Sequence, residues 1–221
     1  MGWVTLRTGL YRLLPGLTSQ PRIRVSETLA RLPAGARLCD IGAGGRKITP
    51  NTFTIDGFVT DTTDLVCDIH EIPLPDGSFD AVFCTGTLEH VRDPRRVLAE
   101  IQRLLSAGGT VHIEVPFMQG YHADPTDYWR WTLEGLRIFC IDAGFEEVEA
   151  GCHMGPTSAL NWIVNEYLIC LFGNGIVGNA AALCARVAGA PFLALDRLLV
   201  KRVQSLRIAS GLYYVGRKVQ S

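Results

Sequence analysis

The sequence has no C-x-x-C pair, and its seven cysteines (Cys39, Cys67, Cys84, Cys140, Cys152, Cys170 and Cys184) are odd in number. That pattern argues against a disulfide framework and a thiolate zinc site, so no metal site is expected. Several of these cysteines sit inside apolar runs, where a thiol behaves as a small hydrophobe, and a reducing compartment is the natural reading. Net charge is almost absent: 21 Lys and Arg against 22 Asp and Glu leave −1. Global electrostatics therefore gives no reason to expect a nucleic-acid partner. The N-terminus lacks a clean signal-peptide core, because Arg7 and Arg12 interrupt it, and Leu6 stands where a myristoylation signal needs Ser or Thr. The expected location is the cytoplasm, or the periphery of a membrane facing it.

Charge is missing locally as well. From Gly151 to Leu195 the only formal charges are Glu166 and Arg186. Beyond that gap lie Arg197, Lys201, Arg202, Arg207, Arg217 and Lys218, so residues 151–221 carry a formal +5 and the first 150 residues −6. Trp162, Ile163, Tyr167, Leu168 and Leu171 recur at helical spacing, as do Leu183, Val187, Leu195, Leu198 and Leu199. The uncharged run 167–185 has the length of a membrane span, but Gly173, Asn174, Gly175, Gly178 and Asn179 break it. A helical hairpin docked on its own domain, on a second copy or on a membrane surface is expected.

The rest of the chain alternates strands with helices. Residues 1–20 read as an amphipathic arm ending at Pro15-Gly16, and Ser26 caps a short helix through Arg31. Strands are predicted at 37–41, at Thr52–Ile55 ending on Asp56, at Leu65–Cys67 ending on Asp68, at Ala81–Cys84 and at Val111–Val115. Two more are predicted at Phe145–Glu149 and Leu212–Val215. Asp93-Pro94 opens a helix that Gly108-Gly109 closes, and Thr132 opens another that ends at Gly144. The pattern predicts an α/β fold with a doubly wound, mostly parallel seven-stranded sheet. The boundaries are an N-terminal arm and helix at 1–34, a core at 35–151, an apolar helical insertion at 152–208 and a final core strand at 209–221.

Carboxylates stand at three successive strand ends. Asp40 precedes the glycine turn Gly42-Ala43-Gly44-Gly45, where backbone bends sharply or presses on a ligand. Asp56 offers both oxygens to a pair of ribose hydroxyls. Asp68, beside Ile69, suits an amino group on a packed aromatic base. A dinucleotide site is disfavoured, because Lys47 stands where G-x-G-x-x-G needs a small residue. The stretch Pro116–Trp131 follows the fifth strand and mixes His122, Asp127, Tyr128, Arg130 and two Trp with turn residues, a composition suited to a polar acceptor such as a sugar. It reads equally well as a structural loop in which Arg130 pairs with Asp127. Glu89 reads as orienting its loop, His90 as a helix-entry residue or a general base, with the structural role favoured, and His112 as a packed strand residue.

Cys39–Gly45, Leu74–Val82 with its Phe79-Asp80, Leu88-Glu89-His90-Val91 and Leu104–Gly109 together resemble the class I S-adenosylmethionine-dependent methyltransferases, and among them the type 11 methyltransferase-domain group. The likeness covers about residues 35 to 150 and the terminal strand. It implies a Rossmann-like methyltransferase fold with S-adenosyl-L-methionine as cofactor. Asp40, Gly42, Ala43 and Gly44 would hold its methionine part, Asp56 the ribose and Asp68-Ile69 the adenine. Cys84 and Thr85, with Gly86, would lie beneath the sulfur. His122, Asp127 and Tyr128 are then the candidates for acting on a small or glycan-linked acceptor, since H-x-x-P-x-D-Y-W-R stretches occur in methyltransferases that look linked to cell-surface glycan synthesis. The chain departs from the family pattern at Arg46, where a third glycine is usual. It also has only about ten residues between Ile41 and Thr52, enough for a single helical turn. A methyltransferase-like fold serving as a non-catalytic scaffold or membrane-peripheral module is the alternative.

Overall fold

The computed structural model describes residues 23–219; the arm read at 1–20 lies outside them. Seven strands form one sheet: β1 (Leu38–Ile41), β2 (Phe53–Asp56), β3 (Leu65–Val66), β4 (Phe79–Thr85), β5 (Leu105–Pro116), β6 (Phe145–Met154) and β7 (Gly211–Lys218). Their order is β3-β2-β1-β4-β5-β7-β6. The first five run parallel, and β7 lies antiparallel between β5 and β6. Ala81, Val82, Phe83 and Cys84 are each 1% exposed or less, as an apolar run covered on both faces requires.

Alternate residues of the sheet feed two layers. Cys39, Ile41, Val82, Cys84, Val111 and Ile113 pack against helices α2 (Pro94–Leu104) and α3 (Leu133–Asp142) through Val97, Leu98, Ile101, Leu136 and Cys140. On the opposite face Ala81 and Phe83 meet Val25, Leu29 and Leu32, from α1 (Ile23–Ala30) and the turn after it. Helices on both faces make the sheet doubly wound. Two of the three predicted caps form: Asp93 accepts from the Arg96 N–H, with Pro94 at the first helical position, and Thr132 accepts from the Gly135 N–H.

Several boundaries differ from the sequence reading. Helix α1 begins at Ile23, so Ser26 lies inside it rather than at its cap. Helix α2 stops at Leu104, and Leu105 pairs at once with Phe79; the Gly108-Gly109 pair marks a register shift within β5 instead of the helix end. Strand β6 runs past Glu149 to Met154, because β7 is long enough to pair Met154 with Gly211. No helix forms between β1 and β2, where even the single turn expected is absent. That edge is tied by side chains: the Asp64 carboxylate accepts from Thr54 N and Thr54 Oγ1 at 2.9 Å and from Lys47 Nζ at 2.7 Å.

Between β6 and β7 the chain forms α4 (Pro156–Phe172), α5 (Ile176–Gly189), a 3₁₀ turn (Ala190–Leu195) and α6 (Asp196–Leu199). The return is bolted to the start. The buried Asp196 carboxylate accepts from Thr157 N and Ser158 N at 2.9 Å and from Ser158 Oγ at 2.6 Å, closing the N-terminus of α4. Gly155 permits this approach, since a Cβ there would stand 2.4 Å from Asp196 Oδ1.

A second clamp joins the starts of β1 and β4. Asp80 accepts from Arg37 N at 2.9 Å, Arg37 Nε at 3.1 Å and Arg37 Nη2 at 2.7 Å. These bonds hold the Asp80 carboxyl well below the usual carboxylate range. A depressed folded-state pKa gives stability that is full above about pH 4 and lost as pH falls below it. Asp80→Asn is therefore expected to lower stability at pH 7 by about 1 kcal/mol, solvent screening of a half-exposed pair included. Denaturant melts at pH 7 and pH 3 check this: the gap between variant and parent should shrink at the lower pH.

Candidate active site

The carboxyl ends of β1, β2 and β4 open onto a cleft of about 830 Å³. At its base the chain leaves β1 through Gly42, whose φ is +74°, and a Cβ there would stand 2.2 Å from Thr87 Oγ1. Only glycine satisfies both conditions. Thr87 Oγ1 donates to the Ile41 carbonyl at 3.2 Å, joining the turn after β1 to the turn after β4. Gly44, at φ +58°, gives its N–H to Asp56 Oδ2 at 2.9 Å, and Phe58 N donates to Asp56 Oδ1 at 3.1 Å. The carboxylate at the end of β2 thus fixes the glycine turn and keeps lone pairs for a ligand.

Of the residues read as cofactor-binding, Gly42, Gly44, Asp56, Asp68 and Ile69 line the cleft. Asp68 is turned by the bonds it accepts from His70 N at 2.9 Å and His70 Nδ1 at 2.6 Å. Asp40 and Ala43 are buried beneath the turn and do not line it. Cys84 and Thr85 are likewise enclosed within β4, and burial pushes the Cys84 thiol up. Gly86 and Thr87 line the cleft instead. The displacement is a matter of where β4 ends: its pairing with β5 runs as far as Thr85↔Glu114.

The segment after β5 folds along the Leu88–Val91 turn. Tyr128 N donates to the Glu89 carbonyl at 2.7 Å, Thr126 Oγ1 to the His90 carbonyl at 3.0 Å and Trp129 Nε1 to the Val91 carbonyl at 3.0 Å. The three residues read as acting on an acceptor separate here. Tyr128 lines the cleft and is half exposed. The Asp127 side chain is 1% exposed and accepts from Arg130 Nη1 at 2.5 Å, Arg130 Nη2 at 2.7 Å and His122 N at 2.8 Å. Burial alone would raise its pKa, but the Arg130 and His122 hydrogen bonds outweigh it and hold the carboxyl at about 2. Asp127 is a loop clamp, in the pairing the sequence offered as the structural alternative.

His122 lies behind the cleft wall. Its ring meets His90 edge-on at 5.2 Å and Trp162 of α4 at 5.3 Å, so the apolar insertion covers this histidine. Its Nε2 is 3.8 Å from Glu89 Oε1. Burial favours the neutral ring, while Glu89 and the Gly120 carbonyl act the other way and leave the pKa raised. His90 belongs both to this group and to the cleft lining. The sequence reads Glu89 as a loop-orienting residue and His90 as helix entry or base, and its cysteine spacing points to no metal. The signal available was a Glu-His pair at one strand end with a histidine beyond the next. His112 is a packed strand residue, 2.8 Å from Thr28 Oγ1 and 3.2 Å from Glu114.

Comparison with known proteins agrees with this fold. A methyltransferase-domain family profile matches residues 26–113. The chain is 28% identical over 92 residues to a tRNA U34 carboxymethyltransferase of Campylobacter curvus, covering 37% of this chain and 31% of that one. It is 32% identical over 115 residues to a ubiquinone biosynthesis O-methyltransferase of Xanthomonas axonopodis, covering 41% and 48%. This chain thus spans between about a third and a half of these relatives' lengths. Among solved structures, an S-adenosylmethionine-dependent methyltransferase of Thermotoga maritima superposes over 97% of both chains with a TM-score of 0.60 at 16% identity. Phosphoethanolamine N-methyltransferase 2 of Haemonchus contortus, with S-adenosylhomocysteine bound, gives 0.57 over 90% of this chain and 52% of that one at 16% identity. Residues 26–113 therefore match a methyltransferase-domain family, and the chain has the fold of the class I S-adenosylmethionine-dependent methyltransferases.

Proposed function

We propose that this chain is an S-adenosylmethionine-dependent methyltransferase acting on a small or glycan-linked polar acceptor. The observation that carries the reading is the cleft itself, with Asp56, Asp68, Ile69 and the Gly42–Gly44 turn converging on it from three successive strand ends. The cleft has the volume of a small-molecule site and suits a nucleoside-sized cofactor. Asp56 would hold the ribose, Ile69 and Asp68 the adenine, and the glycine turn the methionine part. When bound, the cofactor supplies a methyl group already activated on sulfonium. What remains for the protein is to align an acceptor and exclude water. Tyr128 stands at the cleft for the first task, and Trp162 over His122 contributes to the second.

The relatives whose names carry tRNA set a nucleic-acid acceptor against the sequence expectation of none. The formal −6 of the first 150 residues favours a smaller acceptor.

A membrane surface is the second element of the proposal. Helix α4 buries Ser158, Ala159 and Asn165 while exposing Leu160, Ile163, Tyr167, Leu171 and Phe172. Helix α5 buries Gly178 and Ala182 and exposes Ile176 and Val177. This is the reverse of a helix packed on a core. The helical stretch Ile176–Leu199 is long and apolar enough to cross a membrane. The turn at Gly173–Gly175 makes the pair a hairpin, and the exposed Arg197, Lys201, Arg202 and Arg207 follow it. An apolar face beside a cationic one fits an anionic lipid surface.

Calorimetric titration with S-adenosylmethionine and S-adenosylhomocysteine is expected to give micromolar binding, weakened at least ~10-fold by Asp56→Asn. No binding to the folded protein would favour the scaffold alternative; unchanged binding by the variant would misplace the ribose. In co-sedimentation, the protein is expected to pellet with anionic phospholipid vesicles, and Lys201→Glu with Arg202→Glu to cut the bound fraction on the order of 10-fold. Equal recovery with neutral vesicles would remove the electrostatic part of the account.

A further inference from the structure

The geometry points to a divalent-cation site formed by Glu89, His90 and His122. One ligand atom from each lies within 4.8 Å of the others. Glu89 Oε1 is 3.9 Å from His90 Nε2 and 3.8 Å from His122 Nε2. The Glu89 side chain is 4% exposed, and its second oxygen, Oε2, has no hydrogen-bond partner. A buried carboxylate with an unsatisfied oxygen is costly unless a cation or a donor completes it.

Both rings are oriented for such a role by their other nitrogens. His90 Nδ1 is 2.5 Å from the Thr126 carbonyl, and His122 Nδ1 is 2.9 Å from the Gly120 carbonyl. A carbonyl oxygen only accepts, so each Nδ1 carries a proton, and each ring turns its Nε2 edge toward Glu89. Arg130 Nη2 also passes 3.2 Å from His122 Nδ1, but it donates to Gly120 O at 2.9 Å and Asp127 Oδ2 at 2.7 Å. Metal-bound histidines are held in this way, with the second nitrogen donating to a backbone carbonyl.

Closing the two Glu89–histidine pairs by about half an ångström reaches the separations set by metal–ligand bonds near 2.0–2.2 Å. Two imidazoles and one carboxylate suit a first-row divalent cation such as Zn²⁺, Co²⁺ or Mn²⁺ better than Ca²⁺. Three protein ligands leave coordination positions open. His90 lines the cleft, so an oxygen of the acceptor is the fitting occupant. That use of the cation rests on the methyltransferase reading; cation binding itself does not.

The test is titration of chelator-treated, tag-free full-length protein with Co²⁺, read by visible absorption and calorimetry. One equivalent is expected to bind, with affinity lowered at least ~10-fold by the isosteric Glu89→Gln and by His122→Ala. Melting curves identify any variant that fails to fold. The wild-type titration then decides alone: no Co²⁺ binding below about 1 mM would overturn the site. Binding undiminished in a folded Glu89→Gln would overturn the assignment of ligands. S-adenosylhomocysteine titrated in parallel separates failure of the cation site from failure of the cofactor site.

Discussion

The structure depends on two joints that fasten the strand ends around one turn. Asp56 Oδ2 takes the Gly44 N–H, and Thr87 Oγ1 reaches the Ile41 carbonyl beside Gly42. The crossover from β1 has no helix to define it. Its shape comes from positive-φ glycines and from side chains at the ends of β2 and β4. Removing the Asp56 carboxylate would therefore release the turn as well as a ligand contact. The usual contribution of a helix N-terminus to anion binding is absent on this side, and Arg46 lines the cleft there.

The second half of the cleft is organised by a different device. The strand-end turn Leu88–Val91 and the segment after β5 exchange hydrogen bonds through Glu89, His90, Thr126, Tyr128 and Trp129. The Asp127–Arg130 pair locks that segment from beneath. Trp162 closes it from the insertion side. A buried carboxylate and two histidines are thereby brought together from turns distant in sequence. The apolar hairpin is joined to the same assembly, because Asp196 caps the helix that carries Trp162.

The parts legible in the sequence were those with a local physical cause. A continuous apolar run marked β4, Asp93-Pro94 and Thr132 marked the helix starts, and Gly42 marked a turn only glycine can make. Strand-end carboxylates were legible because a strand end is local; of the three, Asp56 and Asp68 line the cleft, while Asp40 lies buried in β1. What remained hidden was non-local. Whether Gly108-Gly109 ends a helix or shifts a strand's register depends on Phe79, the partner of Leu105. Whether Asp127 meets an acceptor or an arginine depends on the fold of its loop, and periodicity is silent there. The Glu89, His90 and His122 cluster exists only once β4 and β5 are neighbours.

The most direct measurement is a crystal structure grown with S-adenosylhomocysteine. The account requires the ribose hydroxyls on Asp56, the adenine between Asp68 and Ile69, and the homocysteine over the Gly42–Gly44 turn. A ligand seated elsewhere, or ordered crystals whose cleft excludes it at saturating concentration, would contradict the assignment of this cleft as the cofactor site.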